Sequence, residues 1–163
     1  MRTAIVYYSY TRTGNTHRIA RLAAETLRRE GEKVVPVRIR PLKEAANFFA
    51  QCAEAFFAKK PELYRTLLDF KDFDRIIIGS PVWAFKPAPA INTFLAECGA
   101  LDGKEAICFV THAGGAGRKN ALEILKKKLA IKGACIAQTA FFRGDETSEE
   151  CRVKLSKLLT NPS

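Results

Sequence analysis

Ser9, Thr11, Thr13 and Thr16 crowd four hydroxyls into eight residues, with Arg12, Gly14 and Asn15 between them. An apolar run, Ala4 to Tyr8, stands just before this segment and an amphipathic stretch follows it, so the segment reads as a loop leading from a strand into a helix. Backbone N–H groups at a helix N-terminus carry partial positive charge, hydroxyls add donors, and Gly14 lets the chain come close to a bound group. That combination suits a phosphate. Both the G-x-x-x-x-G-K-[ST] pattern of nucleoside triphosphate sites and the G-x-G-x-x-G of dinucleotide sites are missing, so a compact monophosphate is the expected ligand. The plainer alternative is a Thr-capped helix after a turn.

Two further segments have the composition of ligand loops. Ser80 to Lys86 contains Pro81, Val82, Trp83, Ala84 and Phe85, and prolines at 81, 87 and 89 stiffen it around the chain's single tryptophan. The segment Thr111-His112-Ala113-Gly114-Gly115-Ala116-Gly117 has so little bulk that its backbone can approach a planar ligand. His112 is a candidate proton donor there, against the commoner reading of an exposed loop histidine, and His17 takes the exposed reading.

Periodicity supplies the elements that would position these loops. Strands are expected over Thr3 to Tyr8, Lys33 to Arg38, Phe73 to Ser80, Lys104 to Thr111 and Gly133 to Phe142, and three successive isoleucines mark the third as covered on both faces. Helices are expected over Thr16 to Glu30, Leu42 to Ala58, Pro89 to Cys98, Arg118 to Leu129 and Thr147 to Leu159. Alternation of five strands with five helices predicts right-handed crossovers and a doubly wound parallel α/β sheet with helices on both faces. One domain over residues 1–163 accounts for the length. Such sheets bind ligands at the carboxyl ends of their strands, and the three loops follow the first, third and fourth strands. Phe48, Phe49, Phe56 and Phe57 give the second helix a wide aromatic face, read as core with a dimer contact or a lid as the alternative.

Thr11-Arg12-Thr13-Gly14-Asn15-Thr16 resembles, in register, the T-x-T-G-x-T phosphate loop of the flavodoxin family. The resemblance extends to IIIGSPVWAFKPAPAINTFL and THAGGAGRKNALEILKKKL, and so to the order of the whole chain. It implies a flavodoxin-like five-stranded sheet of order 2-1-3-4-5 and FMN as cofactor. By the same resemblance Ser9, Thr11, Arg12, Thr13, Gly14, Asn15 and Thr16 hold its phosphate. Pro81, Val82, Trp83, Ala84, Phe85 and Lys86, with Thr111, His112, Ala113, Gly114, Gly115 and Gly117, surround its ring. Trp83 matches the position from which family members stack an aromatic on the flavin, with Phe85 as the alternative. Many members bring a second aromatic from the third loop, and this chain has none, which leaves one flavin face open. The expected function is an FMN-binding electron-transfer protein, in which the chemistry belongs to the cofactor and no side chain is assigned as catalytic. An NAD(P)H-dependent, FMN-containing quinone or flavin reductase is the alternative.

Composition narrows the partners. No apolar stretch approaches the roughly 20 residues of a membrane span, and the apolar centre of a secretory signal is missing, so a cytoplasmic protein is expected. Five scattered cysteines without a C-x-x-C pair argue against a disulfide scaffold or a metal site. Cys108 and Cys135 are expected to pack inside strands, and Cys52, Cys98 and Cys151 on helices, where a surface thiol is allowed. Lys and Arg number 27 against 17 Asp and Glu, a net charge of +10. The excess is concentrated in the chain's first quarter, up to Lys43, and between Arg118 and Lys132, with no nucleic-acid-binding motif, so a solvated basic surface is expected in preference to nucleic-acid binding. It favours a redox partner protein with an acidic docking patch; monomer and homodimer both stay open.

The charge also predicts a potential. A basic residue about 10 Å from the flavin, at an effective dielectric of about 40, stabilises the anionic reduced ring by roughly 0.8 kcal/mol. A few such residues, with Arg12 and Lys86 nearest in sequence, raise the second reduction potential by tens of millivolts, at about 59 mV per 1.4 kcal/mol for one electron. Redox titration at low and high salt is expected to show a second potential less negative than that of acidic flavodoxins, falling as salt screens the charges. A low potential insensitive to salt would show that the net charge does not reach the ring.

Overall fold

The computed structural model describes residues 1–44, 50, 53, 60–64 and 69–160. Its strands are β1 (Arg2–Tyr8), β2 (Lys33–Ile39), β3 (Arg75–Trp83), β4 (Lys86–Pro87), β5 (Glu105–His112) and β6 (Cys135–Arg143). Its helices of more than one turn are α1 (Asn15–Arg29), α2 (Pro89–Glu97), α3 (Arg118–Ile131) and α4 (Ser148–Thr160). The sheet runs β2-β1-β3-β5-β6, all parallel, which is the expected 2-1-3-4-5 order once the two-residue β4 is set aside. Most of the helix expected over Leu42 to Ala58 lies outside the described residues, as do Cys52, Phe48, Phe49, Phe56 and Phe57.

Strand alternation divides the core. Ala4, Val6, Tyr8, Ile76 and Ile78 pack with Ile91 and Leu95 of α2 and Leu122, Leu125 and Leu129 of α3. Ile5, Tyr7 and Ile77 face the other way, onto Ile19, Ala23 and Leu27 of α1 and Leu155 and Leu159 of α4. The three isoleucines thus feed both layers, each contributing on the order of 2 kcal/mol by burial. Gly79 lies in β3 because a Cβ there would collide with the Phe109 ring. α1 ends where Gly31, at φ +84°, lets Gly31 N–H donate to Arg28 O and Glu32 N–H to Leu27 O. Thr147 caps α4 reciprocally with Glu150, whose carboxylate accepts from Thr147 N at 2.7 Å.

Two expectations need correction. β3 continues past Ser80 to Trp83 and folds back through β4, so Pro81, Val82 and Trp83 belong to a strand; only residues 84 and 85 turn. The thiols are also placed differently. Cys135 is exposed, because it opens β6 at the edge of the sheet, whereas Cys98 and Cys151 are buried. Cys108 is buried as expected, and burial pushes its thiol up to about 12.

At the amino ends of the interior strands a buried polar network ties four segments together. Arg75, 4% exposed, donates to Glu105 Oε1 at 2.8 Å and to Glu32 Oε1 at 3.0 Å, and Thr3 Oγ1 donates to Glu32 Oε2 at 2.6 Å. Removing the cation leaves two carboxylates facing each other with little solvent. Arg75→Met is therefore expected to lower unfolding free energy by about 3 kcal/mol in urea titrations. A change under about 0.5 kcal/mol would show that the carboxylates find water.

Candidate functional site

The loop between β1 and α1 is held by its own hydroxyls and by a neighbouring strand. Ser9, buried, donates from Oγ to Thr11 O at 2.9 Å, and Gly14 N–H reaches the same carbonyl at 3.4 Å. Arg38, on β2, donates twice to Ser9 O, at 2.7 and 3.0 Å, and once to Tyr10 O at 2.9 Å. Gly14 has ordinary extended angles, so its constraint is space: a Cβ would lie 2.5 Å from Ser9 Oγ. α1 then begins without a side-chain cap and without an acidic residue in its first turn, which leaves its N–H groups and dipole for an anion. Thr11 and Thr13 are exposed, with Oγ1 atoms 3.3 Å apart. Thr16 is not: its hydroxyl is buried against that of Thr111 at 2.7 Å, joining α1 to the end of β5.

These loops enclose a cleft of about 290 Å³ at the carboxyl ends of β1, β3 and β5. The first loop contributes Ser9, Thr11, Gly14, Asn15 and Thr16; β3 contributes Pro81, Val82 and Trp83; the third loop contributes Thr111, His112 and Ala113. Arg12, Thr13, Ala84, Phe85, Lys86, Gly114, Gly115 and Gly117 do not line it. Arg12 and Thr13 instead border a second cavity against α1 and α4. Trp83 is only 9% exposed and meets the Tyr8 ring edge to face at 5.3 Å, so most of its surface serves the core. Phe85, by contrast, is exposed, at 59%.

The turn carrying Phe85 joins β3 to β4. Ala84 and Phe85 have φ of +45° and +66°, the left-handed pair that a two-residue hairpin demands, here without asparagine or glycine. Ser80 Oγ accepts from Ala88 N at 2.9 Å and Asn120 Nδ2 donates to Phe85 O at 2.8 Å, which fixes the hairpin on both sides. Gly117, at φ +75°, completes the fit: a Cβ there would lie 2.5 Å from Phe85 Cα.

Sequence reasoning missed Tyr10, Arg38 and the loop after β6. Tyr10 lines the cleft and its aromatic ring was visible in the loop itself. Arg38 could not be found, since only the parallel pairing of β2 with β1 brings it to Ser9. Gly144 N–H donates to His112 O at 3.0 Å, and a Cβ on Gly144 would meet Asn15 Nδ2 at 2.5 Å, so this loop closes the cleft from behind.

A family model described as NADPH-dependent FMN reductase matches residues 1–147. No curated protein matches the chain. Among solved structures, a candidate flavoprotein from Bacteroides uniformis ATCC 8492 is 26% identical, with TM-score 0.73, over 95% of this chain and 97% of its own. A flavoprotein in complex with FMN from Lactobacillus acidophilus NCFM is 24% identical, with TM-score 0.69, over 91% and 97%. Oxidised flavodoxin 1 from Bacillus cereus is 16% identical, with TM-score 0.65, over the whole of both chains. The last two are likenesses of fold.

Both histidines sit in basic surroundings. His17 shares a 2.8 Å hydrogen bond between Nδ1 and Tyr7 Oη, and burial, then the charges of Arg38, Arg21 and Arg12, lower its pKa. For His112, burial first and Arg118 second do the same, and its Nδ1 is buried without a partner. Depressed values mean that folding favours the neutral rings: their contribution is complete above the ordinary value of 6.5 and is lost as pH falls through the lower folded values. Urea midpoints are expected to fall from pH 7 to pH 5, with a shallower fall in His17→Gln. A midpoint that rises on acidification would reverse the assigned sign.

Proposed function

The chain belongs to the NADPH-dependent FMN reductase family and is a flavodoxin-like FMN-binding flavoprotein, and on that premise we propose that it is an oxidoreductase in which FMN passes electrons from NAD(P)H to a small acceptor. The observation that carries this reading is the third loop: Ala113, Gly114 and Ala116 are exposed, and no aromatic from this loop stands over the cleft. A carrier that meets only proteins gains from covering both flavin faces, whereas a reductase needs one face free for a nicotinamide and then an acceptor. The carrier role favoured by the flavodoxin resemblance is the second reading, and the shared fold supports it.

The residues present fit the cofactor. An uncapped α1 N-terminus, free of acidic side chains in its first turn and flanked by the exposed hydroxyls of Thr11 and Thr13, suits a phosphate dianion. Asn15, in the same turn, lines the cleft and adds a donor. Pro81, Val82 and Trp83 form a rigid wall for the ring, and His112 and Ala113 line the cleft from the third loop without a bulky group over it. His112 lines the cleft, and its lowered pKa favours the neutral ring, which can donate or accept a hydrogen bond at a polar ring edge. Phe85, beside Gly117, stands where a planar acceptor could rest against it. FMN, when bound, supplies the chemistry by accepting a hydride and releasing two electrons. The chain binds, orients and shields it.

Two measurements test the proposal. Thr11→Val combined with Thr13→Val is expected to weaken FMN by about tenfold or more, the worth of lost hydrogen bonds to a charged group, and to leave riboflavin nearly unchanged. Equal losses for both flavins would remove the phosphate from this loop. Steady NADPH oxidation with a quinone or free FMN as acceptor, with no added reductase, is expected for the reductase. A yellow protein that turns over only when another reductase is supplied would be the carrier.

A further inference from the structure

A cavity of about 450 Å³ lies on the outer side of the first loop, between α1 and α4, and is separate from the flavin cleft. Four arginines line it, Arg12, Arg18, Arg21 and Arg152, with Glu25 as the sole acidic lining residue and Leu22 as an apolar contact. Glu25 is already engaged: it accepts from Arg152 at 2.9 Å and from Arg21 at 3.4 Å, and those bonds, Arg152 first, hold its carboxyl below the usual range. Nearby carboxylates are engaged as well, Glu146 with Lys154 and Asp145 with Arg143. The remaining cationic capacity has no acceptor among the described residues. Arg12 makes no hydrogen bond or ion pair to any of them. Arg18 Nε and Arg152 Nη1 are buried donors without a partner, although Arg18 also donates to the Glu146 and Gly144 carbonyls.

Buried guanidinium N–H groups left unpaired cost free energy, and several guanidiniums around one cavity repel each other unless an anion joins them. Their planar donor forks match the oxygens of a phosphate, and the cavity has the size of a small-ligand pocket. We propose that this cavity is a second anion site, distinct from the flavin cleft, that takes a phosphate group, either inorganic or carried by an organic ester. The inference does not rest on the flavin reading. The sites share only the 11–14 loop, and Arg21 and Arg152 lie on the helices away from the cleft.

The test is calorimetric titration with inorganic phosphate, and separately with adenosine monophosphate, into protein loaded with FMN and freed of unbound FMN, at about 150 mM KCl, where diffuse attraction is screened. Saturable binding is expected, weakened about tenfold or more in Arg21→Gln combined with Arg152→Gln, with FMN affinity unchanged. Arg21→Gln alone alters a mostly exposed side chain and gives a folded control, with a partial loss expected. Tighter binding of the nucleotide than of phosphate would identify an ester ligand, and equal binding a bare oxyanion. No binding up to about 10 mM, or equal binding by wild type and both variants, would overturn the proposal. Failure of FMN to bind would instead be a failure of the flavin reading, since phosphate entering an empty cleft would not respond to Arg21 or Arg152.

Discussion

Two buried hydroxyls, Thr16 and Thr111, meet at 2.7 Å across the carboxyl end of the sheet, and the cleft depends on that contact. β3 lies between β1 and β5, so the bond spans a strand and fixes the first loop against the third. Its net contribution is about 1 kcal/mol, but removing one partner would leave a buried hydroxyl unsatisfied at a further cost of about 1–3 kcal/mol. Arg38 holds the same loop from the outer strand through the Ser9 and Tyr10 carbonyls. With α1 and β5 joined, the N–H groups at the head of α1 keep a constant position relative to His112 and Ala113. A site for a phosphate at one end and a planar group at the other needs that fixed separation.

What could be seen in the sequence was local. The first loop was legible because hydroxyls, Gly14 and the following helix all lie within one short segment. The strands were legible because a sheet covered on both faces requires continuous apolar runs, as in Ile76, Ile77 and Ile78. Features set by distant partners were not. Cys135 and Cys108 look alike in sequence, yet one opens an edge strand and the other lies buried in an interior strand. Trp83 and Phe85 are two residues apart in the same segment. Strand alternation turns Trp83 to Tyr8 and the core, while the hairpin turn leaves Phe85 in solvent. No spacing rule distinguishes such a pair until β4 is seen folding back on β3.

The charge excess divides in the same way. The net charge of +10, concentrated in two segments, reads as solvated basic surface, but several of the arginines are structural. Arg75 is enclosed by two carboxylates, Arg38 binds loop carbonyls, and Arg18 reaches across to the loop after β6. Guanidinium serves in these places because its donors can satisfy several acceptors at once. Their charges remain, but their donors are partly consumed, so local structure rather than the total decides where an anion can bind.

The turn between β3 and β4 follows directly on the cleft wall that Pro81, Val82 and Trp83 form. Left-handed angles cost an ordinary residue about 1–2 kcal/mol, and Ala84 and Phe85 both adopt them. A flexible lid would have little reason to keep such angles. Here they are held by Asn120 on the Phe85 carbonyl, by Ser80 on the Ala88 amide, and by Gly117, whose missing side chain lets the turn rest against the start of α3. The contacts converge on Phe85, whose side chain is exposed. Backbone restraint combined with side-chain exposure presents Phe85 at a fixed position beside the cleft, where a planar group can meet an aromatic surface without first ordering the chain. The third loop and this rigid turn therefore differ in kind: one leaves the cleft uncovered, and the other holds Phe85 in place outside the cleft lining.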